Sequence, residues 1–207
     1  MFPKQLGFEG IFESVRHRSL LSEDRLNSLY NVGLHCSNLD GDFVELGCHC
    51  GGTSFLLASV IKSPHILYAF DSFAGFPKPT KEDQNGVARE GEYVADYDYV
   101  NKYLVSHNRT EFTYNKIKIY KGFIKDTLIN VDDVKFSLIH FDMDLYEPTR
   151  FALNYLWDKV VSGGCVIFDD YLFDGTKGVK KAVDDFFGDI FKYNHWLIEP
   201  QLGIMKP

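Results

Sequence analysis

Short apolar runs that each stop on a glycine or an acid recur along the chain, separated by stretches long enough for a helix. That alternation restricts the fold more than any other feature. Phe43-Val44-Glu45-Leu46 runs into Gly47, His65 to Phe70 into Asp71, Phe136 to Phe141 into Asp142, and Cys165 to Phe168 into Asp169-Asp170. Lys116 to Tyr120 is a further strand candidate. Ser22 to Leu39 carries Leu26, Leu29, Tyr30 and Leu34 at helical spacing, and Thr53 to Ile61, Pro148 to Val161 and Lys177 to Phe187 also read as helices. Apolar strands joined by helices predict an α/β fold whose parallel sheet is covered on both faces. Trp196-Leu197-Ile198 and Gly203-Ile204-Met205 predict two last strands joined by a tight turn with proline and glycine.

At 207 residues the chain fits a single domain spanning 1–207. Two segments interrupt the rhythm. Residues 1–40 precede the first strand as helical material. Residues 74–99 mix Pro, Gly and charges with Phe76, Tyr93, Tyr97 and Tyr99, and a loop of that length predicts a lid. The net charge of −7 argues against nonspecific binding to nucleic acid or to an acidic membrane. No apolar run reaches the roughly 20 residues needed to cross a bilayer, and Met1 to Gly10 does not read as a secretory signal. Four cysteines are too few for a disulfide scaffold, so reduced thiols and a cytoplasmic location are expected.

The first stretch that carries chemistry is Glu45-Leu46-Gly47-Cys48-His49-Cys50-Gly51-Gly52-Thr53-Ser54. A strand ending in glycines before a helix lets the backbone approach a ligand, with helix N–H groups facing it. His49 stands where a dinucleotide fingerprint needs its second glycine, and no Gly-Lys-Ser/Thr of a phosphate loop is present. Glu45 would repel a pyrophosphate but suits a cationic ligand such as S-adenosylmethionine. The alternative is a tight turn packed without ligand. Asp71 ends the second strand, where a carboxylate can accept ribose hydroxyls or simply cap a turn.

Phe141-Asp142-Met143-Asp144 and Phe168-Asp169-Asp170-Tyr171 bring four carboxylates to the ends of two strands. Left unpaired they would repel one another and raise their own pKa values. A hard divalent cation, Mg²⁺, Mn²⁺ or Ca²⁺, resolves that conflict. Capping of the following helices, or pairing with Lys177 or Lys180, would resolve it too. Cys48-His49-Cys50 lacks a second pair to complete a zinc site and reads as turn lining. Cys36 and Cys165 read as buried fillers. His140 reads as a satisfied core histidine or a support for the metal ligands. No Gly-x-Ser-x-Gly elbow of a serine hydrolase occurs.

These residues together resemble the macrocin O-methyltransferase (TylF-like) family, which methylates sugar hydroxyls of natural products. The matching stretches are Val44–Gly47 through Gly51–Ser54, Phe70–Pro77, Lys121–Leu128, His140–Tyr146, Gly163–Cys165 through Asp169–Tyr171, then Gly178 and Ala182–Asp184. The resemblance implies a Rossmann-like class I methyltransferase fold with a seven-stranded, mostly parallel sheet and helices on both faces. It implies S-adenosylmethionine and Mg²⁺ (or Mn²⁺) as cofactors. Glu45, Gly47, Gly51, Thr53 and Ser54 would line the methionine end of the former, Asp71 its ribose, and Ser72, Gly122 and Phe123 its adenine. Asp142, Asp169 and Asp170 match the metal ligands, with Asp142 also facing the cofactor, and Asp144 matches the general base. Asp142 and Asp144 would thus be the catalytic pair.

Related catechol methyltransferases carry a lysine where Leu145 stands, so the resemblance favours a carboxylate base and a sugar or glycoside acceptor. A phenolic or other vicinal diol is the alternative acceptor, and a non-catalytic S-adenosylmethionine-binding protein the alternative class. Partners are then a small acceptor (a sugar, nucleotide sugar or glycoside), no nucleic acid polymer and no membrane, with a homo-oligomer through the N-terminal helices a family analogy.

Overall fold

The computed structural model describes residues 7–84, 86–107 and 116–207. The first six residues of the N-terminal segment and Asn85 of the expected lid lie outside them. The elements are α1 (Phe8–Val15), α2 (Glu23–Cys36), β1 (Asp42–Leu46), α3 (Gly52–Val60), β2 (Leu67–Asp71), α4 (Tyr97–His107) and β3 (Ile117–Lys121). Then follow α5 (Ile124–Thr127), β4 (Phe136–Phe141), α6 (Tyr146–Leu156), β5 (Val160–Phe168), α7 (Lys177–Phe187), β6 (Asn194–Ile198) and β7 (Gln201–Met205).

The strands form one seven-stranded sheet in the order β3-β2-β1-β4-β5-β7-β6. β1 to β5 pair in parallel, and β7 runs antiparallel to both β5 and β6. Alternate side chains feed two cores. Phe43, Leu67, Ala69 and Leu138 pack under α1 to α4. Val44, Leu46, Phe70, Ile139 and Phe141 pack under α5 to α7. The order reverses between β1 and β4, and there the loops leaving their carboxyl ends diverge and open a crevice.

Three boundaries differ from expectation. The helix expected over 148–161 spans Tyr146–Leu156, and β5 begins at Val160 rather than Cys165. Gly163-Gly164 is a bulge inside that strand and not the loop before it, because Val160 pairs Phe136 while Cys165 pairs Leu138. The loop expected over 74–99 gives way to helix at Tyr97. Tyr97 and Tyr99 open α4, whose Val100 and Leu104 are buried one helical turn apart. Lys81–Asp83 forms a single helical turn within the loop that precedes α4. Among the described residues no helix is long and apolar enough to cross a membrane.

Candidate active site

The crevice is a cavity of about 740 Å³ at the carboxyl ends of β1, β2, β4 and β5. Of the residues expected from sequence, Gly47, Thr53, Asp71, Ser72, Gly122, Phe123, Asp142, Asp144, Asp169 and Asp170 all line it. Gly47 leaves β1 at φ +96°, and a Cβ there would collide with the carbonyl oxygen of Asp142. Only glycine lets these two strand ends approach so closely.

Asp71 forms the other wall. Its Oδ2 accepts the His49 N–H at 2.8 Å and its Oδ1 the Phe73 N–H at 2.7 Å. Burial pushes its carboxyl up, against those two amides, which pull it down. Each oxygen keeps further lone pairs for a ligand.

Glu45, Gly51 and Ser54 do not line the cavity. Glu45 is fully buried behind it, where its carboxylate accepts the Ser54 hydroxyl and lies 3.2 Å from His140 Nδ1. The register explains the pairing: Glu45 and His140 are opposite one another on β1 and β4, beneath α3. Glu45 is not at the ligand position expected for it, because strand parity points it to the same face as Phe43. Gly51 caps α3 at φ +80° against Leu104.

Asp142, Asp144 and Asp170 each offer an oxygen, and these lie within 4.8 Å of one another. Asp169 belongs to a different set. One of its oxygens accepts from the Arg25 guanidinium and the other from Gln201 Nε2 at 2.6 Å, while His140 Nε2 lies 3.9 Å away. The expected metal ligands Asp142, Asp169 and Asp170 all reach the cavity, while the tightest cluster of carboxylate oxygens is that of Asp142, Asp144 and Asp170. Arg25 and Gln201 hold Asp169 beside that cluster. No sequence pattern marked either, because both are brought in from remote elements, the first turn of α2 and the first residue of β7.

Two pairs account for the neighbouring charges: Glu45 with His140, and Asp169 with Arg25. Asp142 and Asp144 have no cationic side chain within 4 Å among the described residues, and Asp170 has only Arg25, whose Nη1 bonds Asp169 and lies 3.8 Å from Asp170. Lys180 pairs with Asp184 instead. The consequence is crowding. Burial pushes Asp144 up to about 6, while burial with Asp144 and Asp169 pushes Asp170 up to about 8. Asp142 is raised well above the ordinary range by burial and by four neighbouring acids, Asp169, Asp170, Asp144 and Glu45. Burial depresses His140, but Asp169 and Glu45 outweigh it and hold the imidazole at about 9. Three unneutralised carboxylates with oxygen donors only suit a hard divalent cation.

The chain before Asp144 turns sharply, and Asp144 itself sits at φ +62°. That left-handed conformation is uncommon outside glycine and clusters at functional sites. One side of the cavity is aromatic: Tyr93 from the loop before α4 lies 5.1 Å from Phe76 and edge-on to His49 at 6.0 Å. Arg18 also reaches the cavity, bonding Tyr99 at 2.7 Å and stacking on Tyr103 at 3.8 Å. Cys48 and His49 line the wall, and Cys36 and Cys165 are buried.

Residues 16–194 match the macrocin-O-methyltransferase (TylF) family. The chain is 30% identical over 197 residues to the 8-demethyl-8-(2,3-dimethoxy-α-L-rhamnosyl)-tetracenomycin-C 4'-O-methyltransferase of Streptomyces olivaceus, covering 90% of this chain and 72% of that one. It is 26% identical over 176 residues to the mycinamicin III 3''-O-methyltransferase of Micromonospora griseorubida, covering 77% and 67%. Among solved structures it is similar to the calicheamicin methyltransferase CalS11, with TM-score 0.79, 18% identity and coverage of 96% and 90%. It also resembles the O-methyltransferase NovP, with TM-score 0.74, 23% identity and coverage of 91% and 82%. The sheet order, the crevice at its reversal and a family match across most of the chain agree: this protein belongs to the macrocin-O-methyltransferase (TylF) family and is an O-methyltransferase.

Proposed function

We propose that the protein transfers a methyl group from S-adenosylmethionine to a sugar hydroxyl with the help of a divalent cation. One observation carries this reading: a single cavity has Asp71 on one wall and the unneutralised Asp142, Asp144 and Asp170 on another. A sugar acceptor is supported by two relatives, one named for a rhamnosyl substrate and one described as a TDP-rhamnose 3'-O-methyltransferase.

Asp142 and Asp170 would hold the cation, and Asp144 is the base. When bound, the cation makes the acceptor hydroxyl more acidic and S-adenosylmethionine supplies an electrophilic methyl. Asp71 accepts the ribose hydroxyls, and the Gly47 turn keeps the wall free of side chain so that the donor can lie against the backbone. Asp144 takes the hydroxyl proton on a carboxylate oxygen. Burial raises its carboxyl above the ordinary range, which favours its taking up a proton. Asp169, secured by Arg25 and Gln201, keeps the second acidic turn rigid. Phe76 and Tyr93 shield the acceptor side from water and offer faces on which a sugar can stack.

The test is methyl transfer from labelled S-adenosylmethionine to rhamnosyl glycosides and nucleotide-linked rhamnose, with Mg²⁺ and with EDTA. Transfer that requires the metal and fails for Asp144→Asn supports the reading. Equal transfer in EDTA refutes the metal, and absence of transfer to any sugar refutes the acceptor class.

A further inference from the structure

The lid carries a carboxylate that does two things at once. Thr80-Lys81-Glu82-Asp83 reads as a self-contained capped turn, and Asp83 Oδ2 does accept the Thr80 N–H and Oγ1–H, each at 2.8 Å. Its other oxygen leaves the turn. Asp83 Oδ1 accepts the N–H of Tyr146 at 2.8 Å, 63 residues away, at the first residue of α6. That helix needs a borrowed cap, because Leu145 at its N-cap position has no polar atom to offer. The positive end of the helix also favours a carboxylate there.

The route for this carboxylate has been cleared. A Cβ at Gly178 on α7 would collide with Asp83 Oδ1 and come within 2.9 Å of the Tyr146 nitrogen. The lid meets the second acidic loop as well. Val87 N–H donates to Gly175 O at 2.9 Å, next to Thr176, whose hydroxyl donates to the Asp170 carbonyl at 3.1 Å. One lid segment thus touches the chain just after each of the two acidic turns.

We propose that Asp83 is a positioning residue: by capping α6 from the lid it fixes the turn that presents Asp144 and holds the acceptor wall closed over it. Asp144 lies two residues before Tyr146 in a left-handed conformation. Leu145, between them, is buried. With its hydrophobic side anchored and its amide side tied to the lid, the turn has one arrangement, and acceptor binding and proton transfer are set together. This rests on the methyl-transfer reading above, deepening it with the lid's role.

The test compares Asp83→Ala, Asp83→Asn and Gly178→Ala with the native protein. Three readouts are taken: S-adenosylmethionine affinity, acceptor KM and kcat, and the rate of tryptic cleavage after the exposed Arg89 of the lid. Expected for Asp83→Ala are unchanged S-adenosylmethionine affinity, about tenfold higher acceptor KM, about tenfold lower kcat and about tenfold faster cleavage at Arg89. Asp83→Asn keeps an oxygen for Tyr146 and recovers a good part of kcat. Gly178→Ala, which leaves the carboxylate but denies its place, reproduces the Asp83→Ala pattern and adds little in that background.

Unchanged KM, kcat and cleavage rate in Asp83→Ala overturn the proposal. So does a loss of turnover together with S-adenosylmethionine binding in Asp83→Ala and Asp83→Asn alike, which marks a folding defect. If the native protein methylates no sugar, the functional reading fails by itself, and cleavage at Arg89 in the variants still decides whether the tether exists.

Discussion

Replacing Arg25 with methionine tests whether the acid cluster is short of positive charge. Methionine keeps an unbranched apolar stem but deletes the guanidinium that bonds Asp169 and lies 3.8 Å from Asp170. At that separation a unit charge interacts by about 4 kcal/mol at an effective dielectric near 20. Water refilling the space reduces the change felt by a bound divalent cation to roughly 1–2 kcal/mol, or about five- to thirty-fold in affinity.

The same substitution weakens the metal-free fold. Asp169 is 1% exposed and would keep only Gln201 and the more distant His140. Breaking a buried pair costs about 3–5 kcal/mol. The Arg25 side chain is 16% exposed, so about 2–3 kcal/mol is the expected loss, a fall in Tm of roughly 5–10 °C for a domain of this size. Calorimetric titration with Mg²⁺ and thermal unfolding in EDTA measure the two effects. Tighter Mg²⁺ binding together with a lower metal-free Tm is the expected result. Unchanged Mg²⁺ affinity in Arg25→Met refutes the reasoning, because the guanidinium and the cation would then not compete for the same field.

Asp170→Asn removes one oxygen anion from the unneutralised set and should weaken Mg²⁺ binding at least tenfold by the same titration, with S-adenosylmethionine affinity nearly intact. Asp71→Ala should weaken S-adenosylmethionine at least about 30-fold, since even one hydrogen bond to a charged acceptor contributes about 1.5–3 kcal/mol; equilibrium binding checks it. Glu45→Gln should cost about 3 kcal/mol of stability by denaturant unfolding but weaken S-adenosylmethionine far less than Asp71→Ala, because Glu45 faces His140 and not the cavity. In EDTA the fold should lose stability as pH rises. Asp170 at about 8, Asp144 at about 6 and His140 at about 9 all bind protons more tightly folded than unfolded, so their contribution is lost between about pH 4 and 9. Tm measured across that range, with Mg²⁺ flattening the slope, is the check, and a metal-free Tm that climbs with pH would contradict it.

The strand ends were legible in the sequence because burial on both faces leaves each parallel strand as an unbroken apolar run, and the first glycine or acid marks where it meets solvent. Phe43–Leu46, Phe136–Phe141 and the acids after them fall where expected for that reason. Boundaries failed where one residue type serves two purposes. Gly163-Gly164 looks like a loop and is a bulge inside β5. Tyr97 and Tyr99 look like lid aromatics and begin a helix, because the buried Val100 and Leu104 behind them set the period.

Partner choice among the charges was not legible, and it decides the chemistry. Glu45 and Asp71 look equivalent in sequence, both acids at strand ends. Strand parity sends Glu45 under α3 to Ser54 and His140, while Asp71 stands at the end of β2 and faces the cavity. Asp169 and Asp170 are adjacent, and adjacency alone makes them interchangeable. Arg25, 144 residues from Asp169, and Gln201, 32 residues from it, claim one and leave the other. Such contacts depend on how α2 and β7 dock against the end of β5, which is a property of the packed sheet and carries no local signature. The functional consequence follows from counting what is left over. Once His140 answers Glu45 and Arg25 answers Asp169, Asp142, Asp144 and Asp170 stand together without an equal cation. A surplus of negative charge at the reversal of the sheet order is unstable in isolation. On the function proposed above, a divalent cation would supply the positive charge that these three acids lack.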